Sequence, residues 1–308
     1  AGIETYGFIY HSDLADLNDV VNLLGRGIYL ADAVTTVSER YAQELQTPEF
    51  GERLDPLLRE KKDRFWGILN GIETDAYKPA TDLYIASRYD LESLHLRPAN
   101  KRALQESASL DVNPAAPLLG MVSRLSDEKG LDLLTGILDP LMANLNVQIA
   151  ILGVGEPKYH TLLAELKARY PHRLGLWLTF NDAIARLIFA GSDLYLMPSR
   201  VEPCGLGHLR AMRYGSVPVV RAVGGLTDTV RNYDPAVRSG NGFSFAPYDP
   251  WALYTAIVRA VEVYRHRDLW ALLQGRCMAH TYSTLRAAQR YVEVYRRAQA
   301  WHGNRNGA

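Results

Sequence analysis

Asp193-Leu-Tyr-Leu-Met-Pro-Ser-Arg-Val-Glu-Pro-Cys-Gly-Leu-Gly-His-Leu209 is the stretch on which the fold turns. Asp193 to Met197 is an apolar run that predicts a buried strand. The spacing that follows predicts a helix from Leu206 to Tyr214, stopped by Gly215. A lone carboxylate, Glu202, then lies between a strand's carboxyl end and a helix's amino end. In open α/β sheets that crevice is where ligands bind. Backbone N–H groups at Gly205, Leu206 and Gly207 would face it, an arrangement suited to phosphate. An acid beside a phosphate site points to a ligand with hydroxyls as well as phosphates, such as a nucleotide sugar. An acid that merely favours the helix dipole fits the same position.

Around this stretch the chain alternates two periods, from Leu118 onward. Strands are expected at Leu118 to Ser123, Val147 to Leu152, Leu174 to Phe180, Val217 to Val220 and Gly242 to Phe245. Helices are expected at Leu131 to Leu145, Tyr159 to Tyr170, Ala183 to Ala190 and, briefly, from Leu226. Strands separated by helices of this length imply βαβ units and a parallel sheet. Continuous apolar runs fit strands covered on both faces. Asp249-Pro250 is an N-cap followed by proline at the first helical position, and opens a helix from Trp251 to Val263. Two more helices follow, Leu269 to Met278 and one from Ser283 to about Trp301.

The first 70 residues differ. A helix is expected at Leu23 to Tyr29, a strand at Ala33 to Val37, and a helix at Glu39 to Leu45 capped by Ser38. Glu49 to Lys62 reads as surface loop plus helix, and Ile68 to Ile72 as a short strand. So few elements cannot bury a core of their own, so they read as the tail of a domain whose main part is absent. A chain that starts at Ala1 fits a fragment or processed form. Pro79 to Asn100 is polar and aromatic-rich and is expected to wrap the junction.

Composition narrows the function. Lys plus Arg and Asp plus Glu are 34 each, so no global field draws in nucleic acid or an anionic membrane. An anionic ligand must be held by a few placed cations. Two cysteines, Cys204 and Cys277, make neither a disulfide framework nor a zinc pattern and fit a reducing cytoplasm. No apolar run approaches the roughly 20 residues of a membrane span.

Arg124 and Lys129 follow the Leu118 strand and so lie at the same sheet edge as Glu202. Together they can hold a diphosphate, arginine as a planar fork and lysine as a point charge. Pairing with Asp127 and Glu128 as solvated loop cations is the alternative. Gly224 and Gly225, after the next strand, permit close backbone approach, and Thr227 or Asp228 is positioned to cap a helix there. An ordinary tight turn explains them as well. Gly153-Val-Gly155 lacks the third glycine of a dinucleotide fingerprint, since Lys158 stands in its place. His208 either touches a ligand or lies on a half-buried helix face. Cys204 reads as a packing residue. No histidine pair has metal-ligand spacing within a helix.

With these loops in place the chain resembles the C-terminal part of bacterial glycogen synthases and their starch synthase relatives. The shared residues are Ala31 to Ala42, Gly67 to Ile72, Ser123-Arg-Leu125 with Lys129-Gly-Leu-Asp132, Pro198-Ser-Arg200 with Glu202 to Leu206, and Gly224 to Val230. The resemblance implies a GT-B glycosyltransferase fold of α/β class, with a Rossmann-like parallel sheet covered by helices on both faces and an N-terminal Rossmann-like domain largely missing. It implies residues 1–70 as the remnant of that acceptor-side domain, 71–282 as the nucleotide-sugar-binding domain, and 283–308 as a helix crossing back. It implies retaining transfer of glucose from ADP-glucose to the non-reducing end of an α-1,4-glucan such as glycogen, with no cofactor and no metal. Arg124, Lys129 and Glu202 match the family's catalytic positions. Asn70, Gly71, Gly205, Leu206, Gly207, His208, Gly224, Gly225 and Leu226 match substrate-binding ones. The chain departs from the family where glutamine is usual at His208, threonine frequent at Gly207 and glutamine common at Glu128. A non-catalytic domain binding ADP-glucose or glucan, and a GT-B transferase with another acceptor, are the competing readings.

Overall fold

The computed structural model describes residues 22–306, so the part of the remnant at 1–21 lies outside the described residues. The chain forms two compact units, one running to Gly71 and resuming at Thr284, the other spanning Ile72–Ser283.

In the first unit α1 (Leu23–Leu30) leads to β1 (Val34–Thr36), α2 (Glu39–Glu44), α3 (Asp55–Glu60) and β2 (Phe65–Gly67). The Asn22 side chain caps α1 by accepting from the Gly25 amide at 2.8 Å, and Ser38 caps α2 through the Tyr41 amide at 3.1 Å. β1 and β2 pair in parallel, Val34 against Phe65 through Thr36 against Gly67. The strand expected at Ile68 to Ile72 thus lies earlier. Gly67 is needed there, because a Cβ would run into the Ser38 carbonyl.

The second unit opens with α4 (Pro98–Ser107) and then alternates: β3 (Leu118–Val122), α5 (Leu131–Asn144), β4 (Gln148–Leu152), α6 (Pro157–Arg169), β5 (Leu174–Trp177), α7 (Asp182–Gly191), β6 (Leu194–Met197), α8 (Gly207–Arg213), β7 (Val217–Arg221), α9 (Gly224–Thr229), β8 (Phe243–Phe245), α10 (Pro250–Tyr264) and α11 (Arg267–Ala279). The sheet order is β5-β4-β3-β6-β7-β8, parallel throughout. Alternate strand residues feed two cores. Leu119, Met121, Ile149 and Leu196 point into one, and Leu118, Ala150, Leu152 and Tyr195 into the other. Burial on both faces is why these strands read as unbroken apolar runs. The chain winds from β3 out to β5, returns to β6 on the other side of β3, and winds out to β8. That reversal opens a crevice at the carboxyl ends of β3 and β6.

Three local differences from the sequence reading bear on function. α9 starts at Gly224 after an N-cap residue, Val223, that makes no side-chain cap bond. Thr227 and Asp228 therefore lie inside the helix and do not cap it. β5 stops at Trp177, so Phe180 belongs to the loop beyond it. α4 was not expected, because its buried face is largely polar: Asn100, Lys101 and Gln105 beside Leu104. As expected, Asp249 caps α10, accepting from the Ala252 amide at 2.8 Å.

α12 (Thr284–Asn306) closes the described chain and belongs to the first unit. There Trp301 stacks on Trp66 with ring centres 5.5 Å apart, and the Arg64 guanidinium lies 5.0 Å from the Trp301 ring.

Candidate functional site

The loops after β3 and β6 are fastened together across the switch point. The Arg200 amide donates to the Glu128 carbonyl at 2.8 Å. Gly130 takes φ +75° where a Cβ would strike the Pro198 carbonyl. This brings Lys129 Nζ to 2.9 Å from Glu202 Oε2, and Ser199 Oγ donates to the same oxygen at 3.0 Å. The pair is half-dry: 15% of the Lys129 side chain and 8% of the Glu202 side chain remain exposed, so its attraction is only partly screened. Lys129 also lies 3.3 Å from Glu128 Oε1.

Arg124 stands further out, with 66% of its side chain exposed, and grips Glu128 through Nη2, 3.0 Å from each oxygen. Of the two carboxylates that sequence offered as local partners, Glu128 takes both cations. Asp127 instead accepts from Lys158 at 2.8 and 2.9 Å and from the Tyr159 hydroxyl. Those bonds, Lys158's first, hold the Asp127 carboxyl below the usual range.

The paired glycines form a third wall. Gly224, at φ +47°, sits where a Cβ would meet the Glu202 carbonyl, and a Cβ on Gly225 would meet that of Cys204. The Gly225 amide donates to the Glu202 carbonyl at 3.1 Å. The glycines therefore serve contact between loops, locking the backbone that carries Glu202. Leu226 is wholly buried. Cys204 and Cys277 are both buried, and burial pushes the Cys277 thiol up to about 12.

His208 does not lie on a half-buried face but is fully enclosed under the Glu202 turn. Its Nε2 is 2.6 Å from Thr229 Oγ1, whose single proton goes to the Gly225 carbonyl at 2.7 Å. His208 must then donate through Nε2–H. Burial pushes its pKa down to about 3, so the ring is neutral. Gly207 lies against the Tyr195 hydroxyl, which a Cβ there would approach to 2.7 Å. Asn70 and Gly71 are the last two residues of the first unit's leading segment.

Beside Arg124 a cavity of about 430 Å³ opens at the ends of β3, β4 and β5, lined among others by Gly153, Val154, Phe180, Asn181 and Arg210. That is ample for a small-molecule site. Phe180 is 89% exposed, so its ring face is available to a flat ligand. Sequence reading missed it. The signal was an aromatic immediately before Asn181, which caps α7 through the Ile184 amide at 3.0 Å. Gly153 and Gly155 press on the Ser123 and Leu125 carbonyls, the turn role read for them from sequence.

Residues 104–271, more than half of the chain, match the family model described as "Glycosyl transferases group 1", and residues 2–60 match one described as "Starch synthase catalytic domain". The glycogen synthase of Trichodesmium erythraeum is 47% identical over 275 residues, 89% of this chain and 60% of that protein. That of Thermotoga maritima is 42% identical over 301 residues, 97% of this chain and 61% of its own. Among solved structures, the catalytic domain of starch synthase IV from Arabidopsis thaliana, bound to ADP and acarbose, matches with a TM-score of 0.85 at 34% identity, over 90% of this chain and 58% of that one. The chain thus spans about 60% of the length of the curated relatives it matches.

Proposed function

The chain belongs to the group 1 glycosyl transferases, and from that premise we propose that it is the donor-binding part of a glycogen or starch synthase. The reaction is transfer of glucose from ADP-glucose to the non-reducing end of an α-1,4-glucan with retention. One observation carries this reading: Lys129 and Glu202, from loops on either side of the switch point, meet at 2.9 Å beside Arg124. The names of the glycogen synthase relatives and the ADP and acarbose bound to starch synthase IV support the same chemistry.

The mechanism follows from charge. ADP departs with growing negative charge on its β-phosphate, and cations fixed at that point stabilise the transition state more than the ground state. Lys129 supplies the point charge and Arg124 the fork. The diphosphate draws Lys129 away from Glu202 and frees Oε2 to accept from a glucosyl hydroxyl, with Ser199 keeping the carboxylate in place. The departing phosphate accepts the proton of the attacking glucan hydroxyl, so no separate base is required. Phe180 offers its face to the adenine. We place the protein in the cytoplasm on its low cysteine content, two residues that are both buried. No helix among the described residues is long and apolar enough to cross a membrane.

The test is incorporation of radiolabelled glucose from ADP-glucose into glycogen, with and without a supplied N-terminal domain. Incorporation that falls at least about a hundredfold in Lys129→Ala supports the reading. Binding without incorporation in either arrangement points to a non-catalytic domain. Undiminished transfer by Lys129→Ala sinks the mechanism.

A further inference from the structure

Arg210, on α8, lines the cavity shared by Arg124 and Phe180. Among the described residues no carboxylate lies within ion-pair distance of it. Its neighbours are differently placed. Arg124 is held by Glu128, and Arg186 by Asp182 at 2.8 Å and Asp82 at 3.1 Å. Arg210 Nε is sealed from solvent and has no acceptor. The guanidinium rests 4.4 Å from the centre of the Tyr77 ring, a contact that fixes its position without meeting any of its N–H groups. Arginine carries five donors in a rigid fork. With Nε sealed, the donors a ligand can reach are those on Nη1 and Nη2, which meet no acceptor among the described residues.

The charges around it give the reason. Arg124 and Lys129 are answered by Glu128 and Glu202, so the two fastened loops carry no net charge toward an anion. Glu128 stands where the resemblance leads one to expect a neutral glutamine.

We infer that Arg210 supplies the net positive charge of the site and binds a non-bridging phosphate oxygen of the nucleoside diphosphate, with Tyr77 holding the guanidinium in place beforehand. This rests on the donor-site reading above. Arg210 compensates for Glu128. The two residues form a charge pair at a distance, each making the other tolerable.

Isothermal titration calorimetry on the whole chain tests it, with ADP, adenosine and inorganic pyrophosphate as probes. Arg210→Met weakens ADP roughly 10- to 100-fold, the worth of a charge-assisted hydrogen bond, and leaves adenosine unchanged. Adding Glu128→Gln to Arg210→Met restores most of the loss. Wild-type ADP affinity in Arg210→Met overturns the inference. So does equal weakening of ADP and adenosine, which marks a packing role, and so does failure of Glu128→Gln to restore binding. Pyrophosphate separates this from the donor-site reading. If the wild type binds pyrophosphate through Arg210 but not ADP, the donor reading fails and the anion site stands. If Arg210→Met leaves pyrophosphate binding intact, or the wild type binds neither probe, the anion site falls too.

Discussion

Replacing His208 with glutamine should make the protein less sensitive to acid. The imidazole is fully buried and its pKa lies at about 3, against 6.5 for an exposed histidine. The folded protein therefore keeps it neutral while the unfolded chain protonates it. Between those two values the unfolded state binds more protons, so stability falls as pH falls from 6.5 toward 3 and is unaffected above. The slope is at most about 1.4 kcal/mol per pH unit. Going from pH 8 to pH 5 removes about 2 kcal/mol on this residue's account. That is a large part of a net stability on the order of 5–15 kcal/mol. Glutamine keeps a donor for Thr229 Oγ1 but has no proton to gain. Urea unfolding at pH 8 and pH 5, followed by tryptophan fluorescence, measures both proteins. The wild type should lose about 2 kcal/mol more than His208→Gln across that interval. Parallel losses would refute the buried neutral imidazole and its hydrogen bond.

Other perturbations probe the loops. Gly225→Ala drives a methyl into the Cys204 carbonyl and should lower stability on the order of 1–3 kcal/mol in thermal or urea melts. A neutral effect would mean the glycine-bearing turn is not packed on the Glu202 turn. Gly207→Thr places a side chain 2.7 Å from the Tyr195 hydroxyl and should be destabilising by a similar amount. Tyr195→Phe in the same protein should recover part of it, and strict additivity of the two changes in melting experiments would contradict the clash. Phe180→Ala should weaken adenosine binding about tenfold, within the range for one stacked base, with pyrophosphate unaffected. Equal affinity for adenosine in calorimetry removes Phe180 from the base site.

The winding of the sheet was legible because each strand is buried on both faces, and Leu118 to Val122 or Ile149 to Leu152 can then be apolar without interruption. Position followed from that. Once Leu118 and Asp193 begin parallel strands, Arg124, Lys129 and Glu202 must fall at one sheet edge. What sequence concealed depends on distant partners. α4 buries Asn100, which exchanges hydrogen bonds with the Ser87 backbone at 2.8 and 2.9 Å, and Lys101, which reaches Asp193 at 2.7 Å. Polar residues with such partners give no apolar stripe to read. The double grip of Glu128 on Arg124 and Lys129 was half visible, since both lie close in sequence. The enclosure of His208 was not, because it depends on Thr229 and on the turn at Gly205. Gly224 and Gly225 were legible as a place of close approach, but what approaches is the backbone of Glu202 and Cys204.

The most direct measurement is a difference electron density map from crystals of the protein soaked in ADP. The phosphates should lie between Lys129, Arg124 and Arg210, with the base on Phe180 and the Lys129–Glu202 contact opened. ADP bound elsewhere, or an empty crevice with Lys129 still paired to Glu202 at saturating ADP, would contradict a donor site at the β3–β6 switch point.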